Sequence, residues 1–248
     1  MTDAVGWRAT MGVIVPSTNT VVEHDFWQVR PPGVTFHTGR MYISDPDLGS
    51  DESFESLLEQ IRGSIDIAIR DVMTAEPDYL LMGMSAETFW GGVEGNRRFA
   101  ERVSEQAGGL AVTTGASACA AALDALGVRR IAAFSPYQPV ADEEVRRYLE
   151  EAGFDVAAVT GLRCPSATAI ARVRDDELRK VVGELNSPDV DAIVQVGTNL
   201  SFLRLADEAE AQLGKPVVAI NAATLWHGLR AFGVKDQFSG FGRLLREL

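Results

Sequence analysis

Histidine and cysteine are scarce in this chain. Three histidines and two cysteines stand among 248 residues. His24, His37 and His227 are scattered and suggest no zinc site. Cys119 and Cys164 form no metal-ligand spacing. No apolar run approaches the roughly 18 residues of a membrane-spanning helix. The opening stretch MTDAVGWRATMGVIVP lacks a basic region followed by an apolar one, so no signal peptide is expected. Positive charge is in deficit: 23 Lys and Arg against 35 Asp and Glu leave a net charge of −12. A nucleic-acid or anionic-membrane partner needs a basic face and is therefore excluded. The chain also lacks G-x-x-x-x-G-K-[ST], G-x-G-x-x-G after a strand, and G-x-S-x-G. Nucleotide binding and triad hydrolysis thus have no motif to rest on. A cytoplasmic protein with reduced thiols is expected.

What is present is alternation. Apolar runs rich in β-formers lie at Met11–Pro16, Val34–Ile43, Tyr79–Met84, Leu110–Gly115, Arg130–Pro136, Asp155–Leu162, Ala192–Gly197 and Pro216–Asn221. Several are almost continuously hydrophobic, as parallel strands covered on both faces should be. Amphipathic segments separate them: Phe54–Thr74, Val93–Gln106, Ala116–Leu126, Ala141–Ala152, Asp175–Leu185, Phe202–Leu213 and Ala222–Phe232. This pattern predicts an α/β protein with right-handed crossovers and doubly wound parallel sheets. A coarse repeat relates Met11–Ala111 to Arg130–Val218. VIVPSTNT matches AAFSPYQP, and LLMGMSAE matches IVQVGTNL. Two facing, pseudo-symmetric lobes follow, residues 1–113 plus 222–248 and residues 114–221. The four loops meet in the cleft between them, because ligands bind beyond the carboxyl ends of parallel strands.

Each loop has a plain structural use beside a chemical one. Ser17, Thr18, Asn19 and Thr20 suit helix N-caps, and Thr20 with Glu23 spells a capping box. The Asn19 carboxamide also carries donors that can hold a carboxylate. Tyr137 is either a half-buried ring with a solvated hydroxyl or a functional group facing Asn19. Glycine-freed amides at Gly83, Met84 and Ser85 could form an anion nest. Glu87 is the only carboxylate in the four loops, and it is either solvated near a helix start or catalytic. Gly197, Thr198 and Asn199 mirror the loop after Gly83. Phe89 and Trp90 are either core or a wall for a bulky acid.

These loops resemble a known family. GVIVPSTNTVVEHDF is similar to the N-terminal motif of maleate cis-trans isomerases. ALGVRRIAAFSPY resembles the matching segment of those isomerases and of arylmalonate decarboxylases, and EAEAQLGKPVVAINAATLW resembles their C-terminal segment. Both groups belong to the Asp/Glu racemase superfamily, two-lobed α/β proteins that work without cofactor or metal. The resemblance implies roles for Asn19 and Tyr137 and carboxylate binding by Ser85. It places the two family cysteines at Gly83 and Gly197, so both thiols are missing. The decarboxylases also carry glycine at the first position. The isomerases' later asparagine falls near Ala167.

The expected function is a cofactor-independent lyase or isomerase. It acts on a small carboxylic or dicarboxylic acid through an enolate-like intermediate. Ser17, Asn19, Gly83, Met84, Ser85, Gly197, Thr198 and Asn199 are the expected substrate-binding set, and Glu87 and Tyr137 the proton-transfer groups. The alternatives are a hydrolase in which Glu87 activates water, or a non-catalytic small-acid binding protein. A homo-oligomer is expected.

Overall fold

A computed structural model describes residues 3–248. The first half runs β1 (Ala9–Pro16), α1 (Val22–Gln28), β2 (Val34–Met41), α2 (Asp51–Met73), β3 (Tyr79–Met82), α3 (Ala86–Phe89), α4 (Gly92–Gln106), β4 (Val112–Thr113) and α5 (Gly115–Ala125). The second runs β5 (Arg130–Ser135), α6 (Pro139–Glu151), β6 (Asp155–Gly161), α7 (Ala167–Ile170), α8 (Asp175–Leu185), β7 (Ala192–Gln195), α9 (Leu203–Leu213), β8 (Val217–Ala219), α10 (Ile220–Ala231) and α11 (Arg243–Glu247).

The strands form two four-stranded parallel sheets, ordered β2-β1-β3-β4 and β6-β5-β7-β8. The order is the same in both: second, first, third, fourth. The sequence repeat is therefore a repeat of topology. β1, β3, β5 and β7 are buried along nearly their whole length, which explains their unbroken apolar runs. Helix α2 starts on a capping box in which Ser50 and Ser53 satisfy each other's amides.

The helical segments expected from periodicity all form, with ends shifted by a few residues. Seven of the eight strands are shorter than expected, β4 and β8 most of all. β4 keeps only Val112–Thr113, and β8 stops at Ala219 because α10 already begins at Ile220. Helix α10 leaves the second sheet and packs on β3, β4 and α5, while α5 touches β8. Gly228 makes the first contact close, since a Cβ there would run into Leu81. Helices α1, α3, α7 and α11 are too short to show a period.

Candidate active site

The loops after β1, β3, β5 and β7 converge on one cavity of about 450 Å³, measured with the part continuous with solvent. Its polar wall is Thr18, Asn19, Ser85, Tyr137, Thr198 and Asn199. Its apolar wall is built by Ile43, Leu57, Ile61, Met84, Ala167 and Ile170, with Pro16 and Pro136 at the strand ends. Leu57 and Ile61 lie one turn apart on α2, so the helix presents them on one face.

Local folding fixes the polar groups. The Asn19 Oδ1 accepts from the amides of Val21 and Val22, both at 3.0 Å. Asn19 thus satisfies two amides at the entry to α1, whose N-cap position is Val21 and not Thr20. With the oxygen so held, Nδ2 is the free end, and it points at Thr198 Oγ1, 3.5 Å away. Tyr137 is buried, and its hydroxyl is hydrogen-bonded to Ser85 Oγ. A longer contact of 3.4 Å runs from that hydroxyl to the Val196 carbonyl. The Thr198 amide donates to Ser85 Oγ at 3.4 Å. The edge of the Tyr137 ring meets Phe54, with ring centres 5.4 Å apart. Burial pushes the Tyr137 hydroxyl well above the usual phenol range, with the Ser85 hydrogen bond opposing it. The group therefore keeps its proton at neutral pH. Tyr137 is the one titratable side chain on the cavity wall among the described residues. The backbone amides of Met84, Ser85 and Ala86 make no hydrogen bond among the described residues.

Other expected site residues stand elsewhere. Glu87 is buried, but it does not line the cavity. Its Oε1 accepts from Arg62 Nε on α2 at 2.8 Å, and its Oε2 is buried without a partner. The helical turn of α3 directs the carboxylate to Arg62 on α2 rather than to the cavity wall. Ser17 is also off the wall: its hydroxyl accepts from the Ile43 amide at 3.1 Å and closes the end of β2. Asn199 is on the wall, yet both ends of its carboxamide are engaged. It accepts from Thr20 N and donates to the Ala167 carbonyl, each at 3.0 Å. Its work is to tie three loops together. Phe89 is core, edge-on to Tyr148, and Trp90 is half-buried off the cavity. The bulky wall thus comes from α2 and α7, which short polar loops could not announce.

Gly83 and Gly197 follow β3 and β7, and neither lines the cavity. A Cβ on Gly83 would lie 2.6 Å from Val15 Cγ1 and 2.8 Å from Val22 Cγ1. A Cβ on Gly197 would fall on the Pro136 ring, 2.7 Å from its Cγ. Both positions are filled by neighbouring apolar atoms. Cys164 is buried off the cavity, and desolvation pushes its thiol up to about 11. Cys119 is fully buried, and desolvation raises its thiol still further. Among the described residues no group of three His, Cys, Asp or Glu could hold a metal ion, and no helix is long and apolar enough to cross a membrane.

This architecture has relatives. The maleate isomerase of Pseudomonas putida is 28% identical over 95% of this chain and 96% of its own. The arylmalonate decarboxylase of Bordetella bronchiseptica is 30% identical over 96% of this chain and 97% of its own. A solved structure of Nocardia farcinica maleate cis-trans isomerase superposes with a TM-score of 0.87. It is 27% identical and covers 96% of this chain and 98% of that one. That protein is a cysteine-to-serine mutant with a covalently bound succinylcysteine intermediate. The family model for arylmalonate decarboxylase matches residues 11–245. With nearly its whole length matched and both sheets in place, this chain belongs to the arylmalonate decarboxylase family.

Proposed function

We propose that the protein is a cofactor-independent enzyme that breaks a carbon–carbon bond in a small carboxylic acid, with Tyr137 as the proton donor. The observation that carries this is the single titratable side chain on the cavity wall, which keeps its proton. An isomerase working through an enolate must first remove a proton or add a nucleophile. No base and no thiol lines this cavity among the described residues. A decarboxylase needs neither to make its carbanion. The bond to the departing carboxylate breaks, CO2 leaves, and the electron pair enters the remaining carboxylate as an enediolate. Tyr137 then gives its proton to the carbon, and solvent reprotonates the phenolate. Asn19 Nδ2, Ser85, Thr198 and the unpaired amides of the β3 loop hold the developing charge without a formal cation. The wall of Ile43, Leu57, Ile61 and Ile170 takes an apolar substituent. A hydrolase that uses Glu87 to activate water loses support, because Glu87 faces Arg62.

The proposal includes a division into lobes 1–113 plus 222–248 and 114–221, a small carboxylate as the partner, a cytoplasmic setting and a homo-oligomer. Proton NMR in D2O tests the chemistry directly. Malonic acids bearing a phenyl, benzyl or methyl group at C2 are expected to lose CO2 and gain one deuterium. Conversion of maleate to fumarate, with every malonate untouched, would return the protein to the isomerases. Binding of all these acids without turnover would make it a binding protein.

A further inference from the structure

Asn19 and Tyr137, which both line the cavity, are held from behind in the same way. In the second lobe the Arg163 Nη1 donates to the Tyr137 carbonyl and to Asp142 Oδ2, both at 2.6 Å. The other carboxylate oxygen of Asp142 accepts from Ser135 Oγ, and that hydroxyl accepts from the Tyr137 amide at 2.9 Å. The hydrogen bonds form a closed ring through both backbone polar groups of Tyr137. In the first lobe the Arg40 Nη1 donates to the Asn19 carbonyl at 3.0 Å and to the Ser17 carbonyl at 3.2 Å. Its other nitrogen pairs with Glu23. Arg40 is on β2 and Arg163 follows β6, the equivalent strand. Glu23 is on α1 and Asp142 on α6, each in the helix after the site residue.

Two further features show that the second ring is built in. Arg163 holds φ +56°, a left-handed conformation unusual for a side-chain-bearing residue. Gly161, paired with Ser135 in the sheet, leaves the space in which the ring closes. A Cβ there would collide with the Arg163 guanidinium and the Asp142 carboxylate. Asp142 is buried whereas Glu23 is partly exposed, so the ring on Tyr137 is the tighter of the two.

We propose that Arg163 with Asp142 and Ser135 positions Tyr137, and that Arg40 with Glu23 positions Asn19, as mirrored clamps outside the cavity. Neither arginine lines the cavity, so each acts through the loop it grips. The proposal rests on Tyr137 as proton donor, the reading given above. A hydroxyl displaced by about 1 Å can cost about 10²-fold in rate.

The test labels the four tyrosines with ¹³C at Cζ and assigns the Tyr137 resonance through Tyr137→Phe. Phenylmalonate is the probe for turnover, and far-UV circular dichroism reports folding. Arg163→Met removes the guanidinium from a half-exposed site, and Gly161→Ala keeps every charge but drives Arg163 and Asp142 apart. Both are expected to shift or split the Tyr137 resonance alone. Both should lower kcat about 10²-fold with KM within about threefold, and Arg163→Lys should recover at least about tenfold of the loss. Arg40→Met should raise KM with the Tyr137 resonance unmoved. A folded Arg163→Met variant with an unmoved Tyr137 resonance overturns the second-lobe clamp. An unchanged KM in Arg40→Met overturns the first-lobe one. A moved resonance in a protein whose wild type leaves phenylmalonate intact supports the clamp and sinks the decarboxylase reading instead.

Discussion

Tyr137 and Glu87 were equal candidates for proton transfer on sequence, and their surroundings separate them. Tyr137→Phe removes the proton and keeps the ring on Phe54. It is expected to lower kcat by roughly 10²–10⁴-fold, the usual share of a general acid, with KM changed much less. Steady-state kinetics on the best malonate checks this. Glu87→Gln should leave kcat within about twofold, because the amide oxygen still accepts from Arg62. Its effect on stability should stay below about 1 kcal/mol, since the Arg62 side chain is 43% exposed and the pair is screened. A kcat collapse in Glu87→Gln would restore it to the chemistry. Iodoacetamide should leave turnover intact, as both thiols are buried off the cavity and hold their protons. Much of this was legible in the chain. Asn19, Ser85, Tyr137 and Thr198 could be picked from loops following strands, and all four stand on one wall. The direction of Glu87 was not, because one residue of rotation in a helical turn as short as α3 decides which way a side chain faces.

At the scale of the element, strands were easier to read than the turns that follow them. Buried parallel strands leave long apolar runs, and that signal survives in a single sequence. Short helices such as α1 and α7 leave none, so the apolar wall carried by α7 could not be foreseen. Nor could the clamps, which join residues from separate strands and helices. The strand ends at Gly83 and Gly197 also differ from bare vacancies. Restoring a side chain at Gly197 would overpack it against Pro136. Gly197→Cys is therefore expected to cost about 1–3 kcal/mol, seen as a melting temperature lower by several degrees. Combining it with Pro136→Ala should recover most of that loss. Full stability in Gly197→Cys alone would show that the Pro136 ring yields.

Across the whole molecule, a buried polar path links the halves. Asp25 on α1 accepts from Asn221 Nδ2 on α10 at 2.8 Å, and the same nitrogen donates to the Thr198 carbonyl at 3.0 Å. Burial pushes Asp25 up to about 7, with the Asn221 hydrogen bond opposing it. The folded protein therefore keeps this proton between about pH 4 and pH 7, where the unfolded chain gives it up. Stability contributed by Asp25 is complete below pH 4 and falls as pH rises to 7, by up to about 4 kcal/mol. Asp25 also borders a surface hollow shared with His24, Asp175, Arg204 and Glu208. Urea unfolding at several pH values should show the slope in the wild type and lose it in Asp25→Asn. Parallel curves for the two proteins would mean that Asp25 is ionised throughout.

The path of α10 has a consequence for how the protein is made. The first sheet is complete once β4 leaves the ribosome, but the helix that packs on β3 and β4 begins only at Ile220. Until Ile220 and the residues after it emerge, Leu81 and its neighbours lack the surface that covers them. A nascent chain arrested after β8 should therefore be captured by chaperones that bind exposed apolar surface. Release should coincide with the emergence of Leu229 rather than with the end of either half.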